Sequence, residues 1–165
     1  IYLNIKEILL MFIMGKIKKK ISYNESDFAF IITSIGEKNL TKCLKSIFSQ
    51  TKKPGQIIVC LPENIDLKYQ FKEIQIIKSK FRNQVYQRSI ALKLLKKNIK
   101  ILVQLDSSCE LYKNTFNKLI LTWSNQSADV AGIGMIPTNY LLPKVNIFQE
   151  FFLTNSKNIG KVLKS

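Results

Sequence analysis

Two carboxylates and two hydroxyls packed into a few residues are the first groups in this chain that could do chemistry. They lie in KILVQLDSSCEL, residues 100–111, where an apolar run passes into Asp106, Ser107, Ser108, Cys109 and Glu110. The run at 101–105 reads as a buried strand. A carboxylate where such a strand stops is how parallel α/β sheets place charge at the edge where ligands bind. Asp106 and Glu110 stand as a candidate pair of acids on that edge. The chain has no histidine, which removes Ser-His-Asp and Cys-His nucleophile pairs and histidine metal sites from these residues. Acid–base work falls to carboxylates, Lys, Tyr or Cys.

A strand end makes a site only if a sheet surrounds it. FAFIIT at 28–33 is a continuous aromatic and β-branched run, read as a central strand, and Ser34-Ile35-Gly36 as a turn. From 38 to 50 the apolar residues Leu40, Cys43, Leu44, Ile47 and Phe48 recur at helical spacing, and Lys52-Lys53-Pro54-Gly55 ends the helix. QIIVCL at 56–61 is a second buried strand and EIQII at 73–77 a shorter third, with a mixed pattern at 63–72 between them. Residues 84–95 read as a helix with Val85, Arg88/Ser89, Leu92 and Leu95 on one side. A helix over 113–123 has Phe116, Leu119, Ile120 and Trp123 as its apolar face. DVAGIGM at 129–135 reads as a further strand with close-packing glycines, and 145–153 as a short amphipathic helix. The alternation implies an α/β fold: a mostly parallel central sheet with helices on both faces and right-handed crossovers. Asp106 is then expected at the carboxyl edge of an interior strand, with the loops after 33 and 61 converging on the same crevice.

Composition sets the wider bounds. The 165 residues, 46% of them apolar, suffice for one domain with a core. Residues 1–27 are set apart as an N-terminal extension. Their apolar start followed by GKIKKK reads either as a membrane-surface segment or as sequence upstream of a start at Met11 or Met14. The charges follow the apolar stretch, the reverse of a signal peptide, and the stretch is too short to span a bilayer. The domain proper is expected over 28–165 and incomplete at its C-terminus. The net charge of +15 is spread over scattered lysines, with a tight cluster only at Lys16–Lys20, and reads mainly as solvated surface. Cys43, Cys60 and Cys109 show no CxxC spacing; Cys43 and Cys60 sit in apolar patterns and are expected in the core of a cytoplasmic protein.

The ligand is narrowed by what the strand-end loops lack. No GxGxxG follows residue 33 and no GxxxxGK[ST] occurs, so dinucleotide and P-loop readings fail. An anionic ligand in this crevice must be held another way, such as by a divalent metal on carboxylates plus Arg or Lys.

Four stretches in order then carry a resemblance. They are FAFIITSIGEKNLTKCLKSIFSQT (28–51), PGQIIVCLP (54–62), QVYQRSIALKLLK (84–96) and ILVQLDSSCEL (101–111). Together they resemble the opening strand and helix, the second strand, the "A-R-N-x-G" helix and the "L-D-x-D" strand end of family 2 glycosyltransferases of the GT-A fold. The tail from ADVAGIGMIPTN onward is similar to one branch of that family. The resemblance implies a nucleotide-diphosphate-sugar donor, a UDP-sugar above all. It also implies transfer with inversion to an acceptor hydroxyl on a glycan or lipid-linked acceptor, in glycan or cell-surface polysaccharide synthesis. Carried over residue by residue, Thr33 and Glu37 would face the base and ribose, Arg88 the nucleotide or its phosphates, and Asp106 the ribose or a Mg or Mn ion.

The chain departs from the pattern at four points. Leu61-Pro62 stands where an acid meets the base, Ser89 replaces the Asn of A-R-N, Ala91 its Gly, and Ser108 the metal-holding acid of L-D-x-D. A serine hydroxyl is a poor substitute for that carboxylate, and no residue matches the family's catalytic base. Plainer readings stand beside these: Asp106 as a turn cap, Arg88 as a surface helix residue, and Glu37 and Glu110 as helix N-terminal charges. The expectation is a transferase degenerate at its metal site, on the cytoplasmic side and at the inner face of the membrane. The alternative is a non-catalytic basic α/β module that binds a polyanion or an anionic membrane. No specific nucleic acid is expected.

Overall fold

A computed structural model of the chain describes residues 21–36, 39–67 and 71–135. The chain divides between Ala128 and Asp129 into two units. In the first, the order is β1 (Phe28–Thr33), α1 (Leu40–Phe48), β2 (Gln56–Pro62), β3 (Gln75–Ser79), α2 (Gln84–Leu92), β4 (Ile101–Asp106) and α3 (Thr115–Ser124). The four strands form an all-parallel sheet in the order β3-β2-β1-β4. This is the α/β architecture expected from the alternation. The order turns back at β1, since β2 and β3 add on one side of it and β4 on the other.

The strands form where the apolar runs are unbroken. Every residue of β1 and β2 is buried, because both lie inside the sheet with cover on both faces. Side chains alternate between the two faces. Phe28, Phe30, Ile32, Ile57, Val59, Leu61, Ile101, Val103 and Leu105 meet α1 and α3 in the larger core. Phe116 of α3 sits edge-to-face on Phe28 and Phe30, with ring centres 5.4 and 5.1 Å away. The connection 63–74 between β2 and β3 carries turns but no helix among its described residues. It lays Ile65, Leu67, Phe71 and Ile74 on that same core, Phe71 stacked on Phe48. The opposite face is thinner. There Ile31, Ile58 and Cys60 meet Ala91 of α2, with Ile90 and Leu95 half-buried beside them.

Three expectations change. Residues 129–135 form no strand; a Cβ at Gly132 or Gly134 would meet nothing within 4 Å. Glycines deprive the segment of the side chains a strand needs. Consequently β4, expected to be interior, is the outer strand of the described sheet. Its burial alternates, Gln104 and Asp106 being exposed on the α2 face. Finally, α2 does not bury the side that bears Val85 and Leu92, which stay exposed. It buries Gln87 and Ala91, because the small Ala91 lets the helix approach the sheet. The readings at 1–20, with Lys16–Lys20, and at 145–153 lie outside the described residues.

The amino edge of the sheet is tied by a polar cluster. Asn24 and Asp27 form a reciprocal capping box around the 3-10 turn Glu25–Asp27. Lys100 donates to the buried Asp27 twice over, from Nζ to Oδ1 at 2.7 Å and from its backbone N–H to the carbonyl at 2.8 Å. Burial alone would push the Asp27 carboxyl up, but the Lys100 and Asn24 hydrogen bonds outweigh it and hold the carboxyl below its usual range. Gly55 is required beside this cluster. Its N–H donates to the Glu25 and Phe28 carbonyls, and a Cβ would lie 2.5 Å from the Ser26 carbonyl oxygen.

Candidate functional site

At the carboxyl edge the register brings three side chains into one row on the α2 face. Cys60 of β2 pairs with Thr33 of β1, and Thr33 pairs with Asp106 of β4. The crevice where an open parallel sheet reverses its strand order, beyond the carboxyl ends, is where such folds bind ligands. Here that point lies between Thr33 and Asp106.

The row is roofed by α2, which starts at Asn83. The Asn83 side chain accepts from the backbone N–H groups of Val85 and Tyr86 and so fixes the first turn. One turn on, Gln87 points into the sheet and Arg88 over its rim. The Cys60 thiol donates to the Gln87 carbonyl at 3.3 Å, and Gln87 Nε2 reaches the Ser34 carbonyl at 3.4 Å. Arg88 Nη2 donates to Asp106 Oδ1 at 3.1 Å. Thus Arg88 and Asp106, two residues singled out by the sequence pattern, touch one another, and Thr33 is the register partner of one of them. Glu37 lies outside the described residues.

Two features of the site are unlike ordinary structural contacts. The Arg88 and Asp106 side chains are 31% and 55% exposed, and a pair so open to water contributes roughly 0–1 kcal/mol to stability. It is a weak tie that another anion could replace. Beneath it, Thr33 Oγ1 and Gln87 Oε1 are buried without a hydrogen-bond partner among the described residues. Leaving a buried polar atom unpaired costs about 1–3 kcal/mol, so neither is explained by packing. Gln87 was not anticipated from the sequence. The one available signal was a polar residue beside Arg88, four residues before the small Ala91, on a helix that must cover a sheet.

The loop after β4 folds tightly. The Cys109 N–H donates to the Asp106 carbonyl at 3.0 Å, and the Cys43 thiol approaches the same oxygen at 3.9 Å. Ser107 is buried, whereas Ser108 and Glu110 are exposed. Burial pushes the Cys43 thiol up to about 12 and the Cys60 thiol up to about 11, so both stay protonated core groups as expected from their apolar settings. Opposite Thr33, the turn at 34–36 needs Gly36. Its φ is +91°, the Ser34 hydroxyl accepts its N–H, and a Cβ there would lie 2.5 Å from Ile65 Cγ2.

A divalent cation at this edge would need several hard oxygen ligands, carboxylates foremost. Among the described residues no three His, Cys, Asp or Glu side chains come together. Asp106 is already neutralised by Arg88, and Ser108 offers a hydroxyl where an acid was expected. The donor set that the described residues offer does not fit such an ion.

No known protein family matches the chain, and neither a curated protein nor a solved structure does. No helix among the described residues is long and apolar enough to cross a membrane.

Proposed function

We propose that this chain is the donor-binding part of a glycosyltransferase similar to family 2, taking a nucleotide-diphosphate sugar across the carboxyl edge of the sheet. The observation that supports the reading is the convergence of Thr33, Arg88 and Asp106, drawn from three separate sequence stretches, at one carboxyl edge of the sheet. The chemistry fits the arrangement. Transfer leaves a nucleoside diphosphate, and a cationic group at the phosphates stabilises the charge that develops there. Arg88 is such a group, and its planar fork suits phosphate oxygens. Asp106 offers carboxylate oxygens to ribose hydroxyls, and Thr33 a hydroxyl with unused hydrogen-bonding capacity. Acceptor deprotonation requires a carboxylate base that the described residues do not supply at this crevice. The resemblance makes the acceptor a hydroxyl on a glycan or lipid-linked acceptor, with transfer on the cytoplasmic side.

Calorimetric titration with UDP-sugars, with and without Mn²⁺, tests the reading. Saturable binding in either condition supports it, and no binding of any UDP-sugar in both rejects it. Salt-sensitive retention on RNA or anionic vesicles, without nucleotide binding, would favour the basic polyanion- or membrane-binding module instead. That alternative draws on the net charge of +15.

A further inference from the structure

We propose that Arg88 is held over Asp106 as a displaceable counter-ion and takes the donor's diphosphate itself, so that nucleotide binding here needs no divalent cation. The inference rests on the nucleotide-diphosphate reading above and concerns how the same crevice handles the charge.

Three observations carry it. First, the donor set is wrong for a metal. Asp106 is the sole carboxylate in the Thr33 row, Ser108 follows it in place of an acid, and no cluster of three acid or thiol ligands forms among the described residues. Second, the positive charge a diphosphate requires is already present. Arg88 stands at the crevice rim and is committed to Asp106 through one N–H of one nitrogen, leaving most of its fork to meet phosphate oxygens. Third, the commitment is easily exchanged. Both partners are solvent-accessible, and a nearby anion of higher charge with bidentate geometry outcompetes a single carboxylate oxygen. Freed of Arg88, Asp106 can accept from sugar hydroxyls. One exchange thus arms both residues. Gln87, buried beneath, keeps the helix turn that presents Arg88 pinned to the sheet through its contacts with Ser34 and Cys60.

The test is calorimetry of the full chain with UDP, in EDTA and in Mn²⁺, for the wild type and for Arg88→Ala, Arg88→Lys and Ser108→Asp, with circular dichroism confirming that each is folded. The wild type is expected to bind UDP with affinities within about threefold in the two buffers. Arg88→Ala is expected to lose at least about tenfold in EDTA, which is about 1.4 kcal/mol. Arg88→Lys, keeping the charge but not the fork, should fall between the two. Ser108→Asp should gain a Mn²⁺ response that the wild type lacks. Wild-type binding only in Mn²⁺, or an Arg88→Ala variant that binds as well as the wild type, overturns the inference and leaves the nucleotide reading standing. A folded wild type that binds no UDP in either buffer overturns the nucleotide reading and the inference with it.

Discussion

The two edges of the sheet each pair an aspartate with a cation, and they do it in opposite ways. At the amino edge, Asp27 immediately before β1 is buried and bound by Lys100, immediately before β4, while Asn24 completes its hydrogen bonding. At the carboxyl edge, Asp106 ends β4 in the open and meets Arg88 through one exposed hydrogen bond. Among the described residues, no buried side-chain polar atom around Asp27 lacks a partner, whereas two near Asp106 do. The first arrangement holds the chain entry and two strand starts together. The second leaves buried hydrogen-bonding capacity without partners among the described residues, capacity that the proposed donor site would use. Buried glutamines repeat the contrast. Gln50 donates to the Ser46 and Tyr112 carbonyls and accepts from the Phe116 N–H, tying α1 to the start of α3. Gln87 leaves its oxygen unpaired.

The contrast makes quantitative predictions. Asp27→Ala should lower the unfolding free energy by about 3 kcal/mol in urea titrations, since charge-assisted hydrogen bonds and a cap go together. Asp106→Ala should cost less than about 1 kcal/mol. Equal losses would erase the distinction. The Asp27 effect carries a pH signature. Its folded carboxyl lies below the ordinary 3.8, so its contribution is complete above that value and is lost as pH falls through the lower, folded one. Asp27→Asn should therefore flatten the acid end of the stability curve relative to wild type. Next in size, Gln50→Ala should cost about 2 kcal/mol, because the Phe116 N–H at the start of α3 loses its acceptor. Gln87→Met, which removes an unpaired oxygen and one long hydrogen bond, should stay within about 1 kcal/mol of wild type. The smallest effect is expected at Thr33. Thr33→Val trades an unpartnered hydroxyl for a methyl and should be neutral or stabilise by up to about 1 kcal/mol, while weakening UDP binding. A clear loss of stability would mean that the hydroxyl serves the fold.

These contrasts bear on what could be read from residue order. The spans of β1 and β2 were legible because both are covered on both faces, so the apolar run and the buried strand coincide. The face of α3 was legible for the same reason, Phe116, Leu119 and Ile120 being its buried residues. The run ending at Asp106 looked equally apolar, yet a sequence does not say which neighbours a strand finds, and β4 is bordered on one side in the described sheet. The helix before it was misjudged in orientation. Hydrophobicity favoured Val85 and Leu92, whereas close approach favoured Ala91 and carried Gln87 inward. At the site, Arg88 and Asp106 were each singled out, but not their contact, which depends on α2 lying across the β1–β4 crevice. Gln50 lies in the stretch 28–51 that carries the family resemblance, and its hydrogen bonds to Tyr112 and Phe116 show it as a structural staple.

Hydrogen–deuterium exchange of the full chain with and without saturating UDP tests most directly the claim that the carboxyl edge is the ligand site and the amino edge a clasp. The account predicts slowed exchange in peptides covering 33–36, 84–91 and 105–110, with 24–28 and 96–101 unchanged. Protection at the amino edge, or no change anywhere, would contradict it.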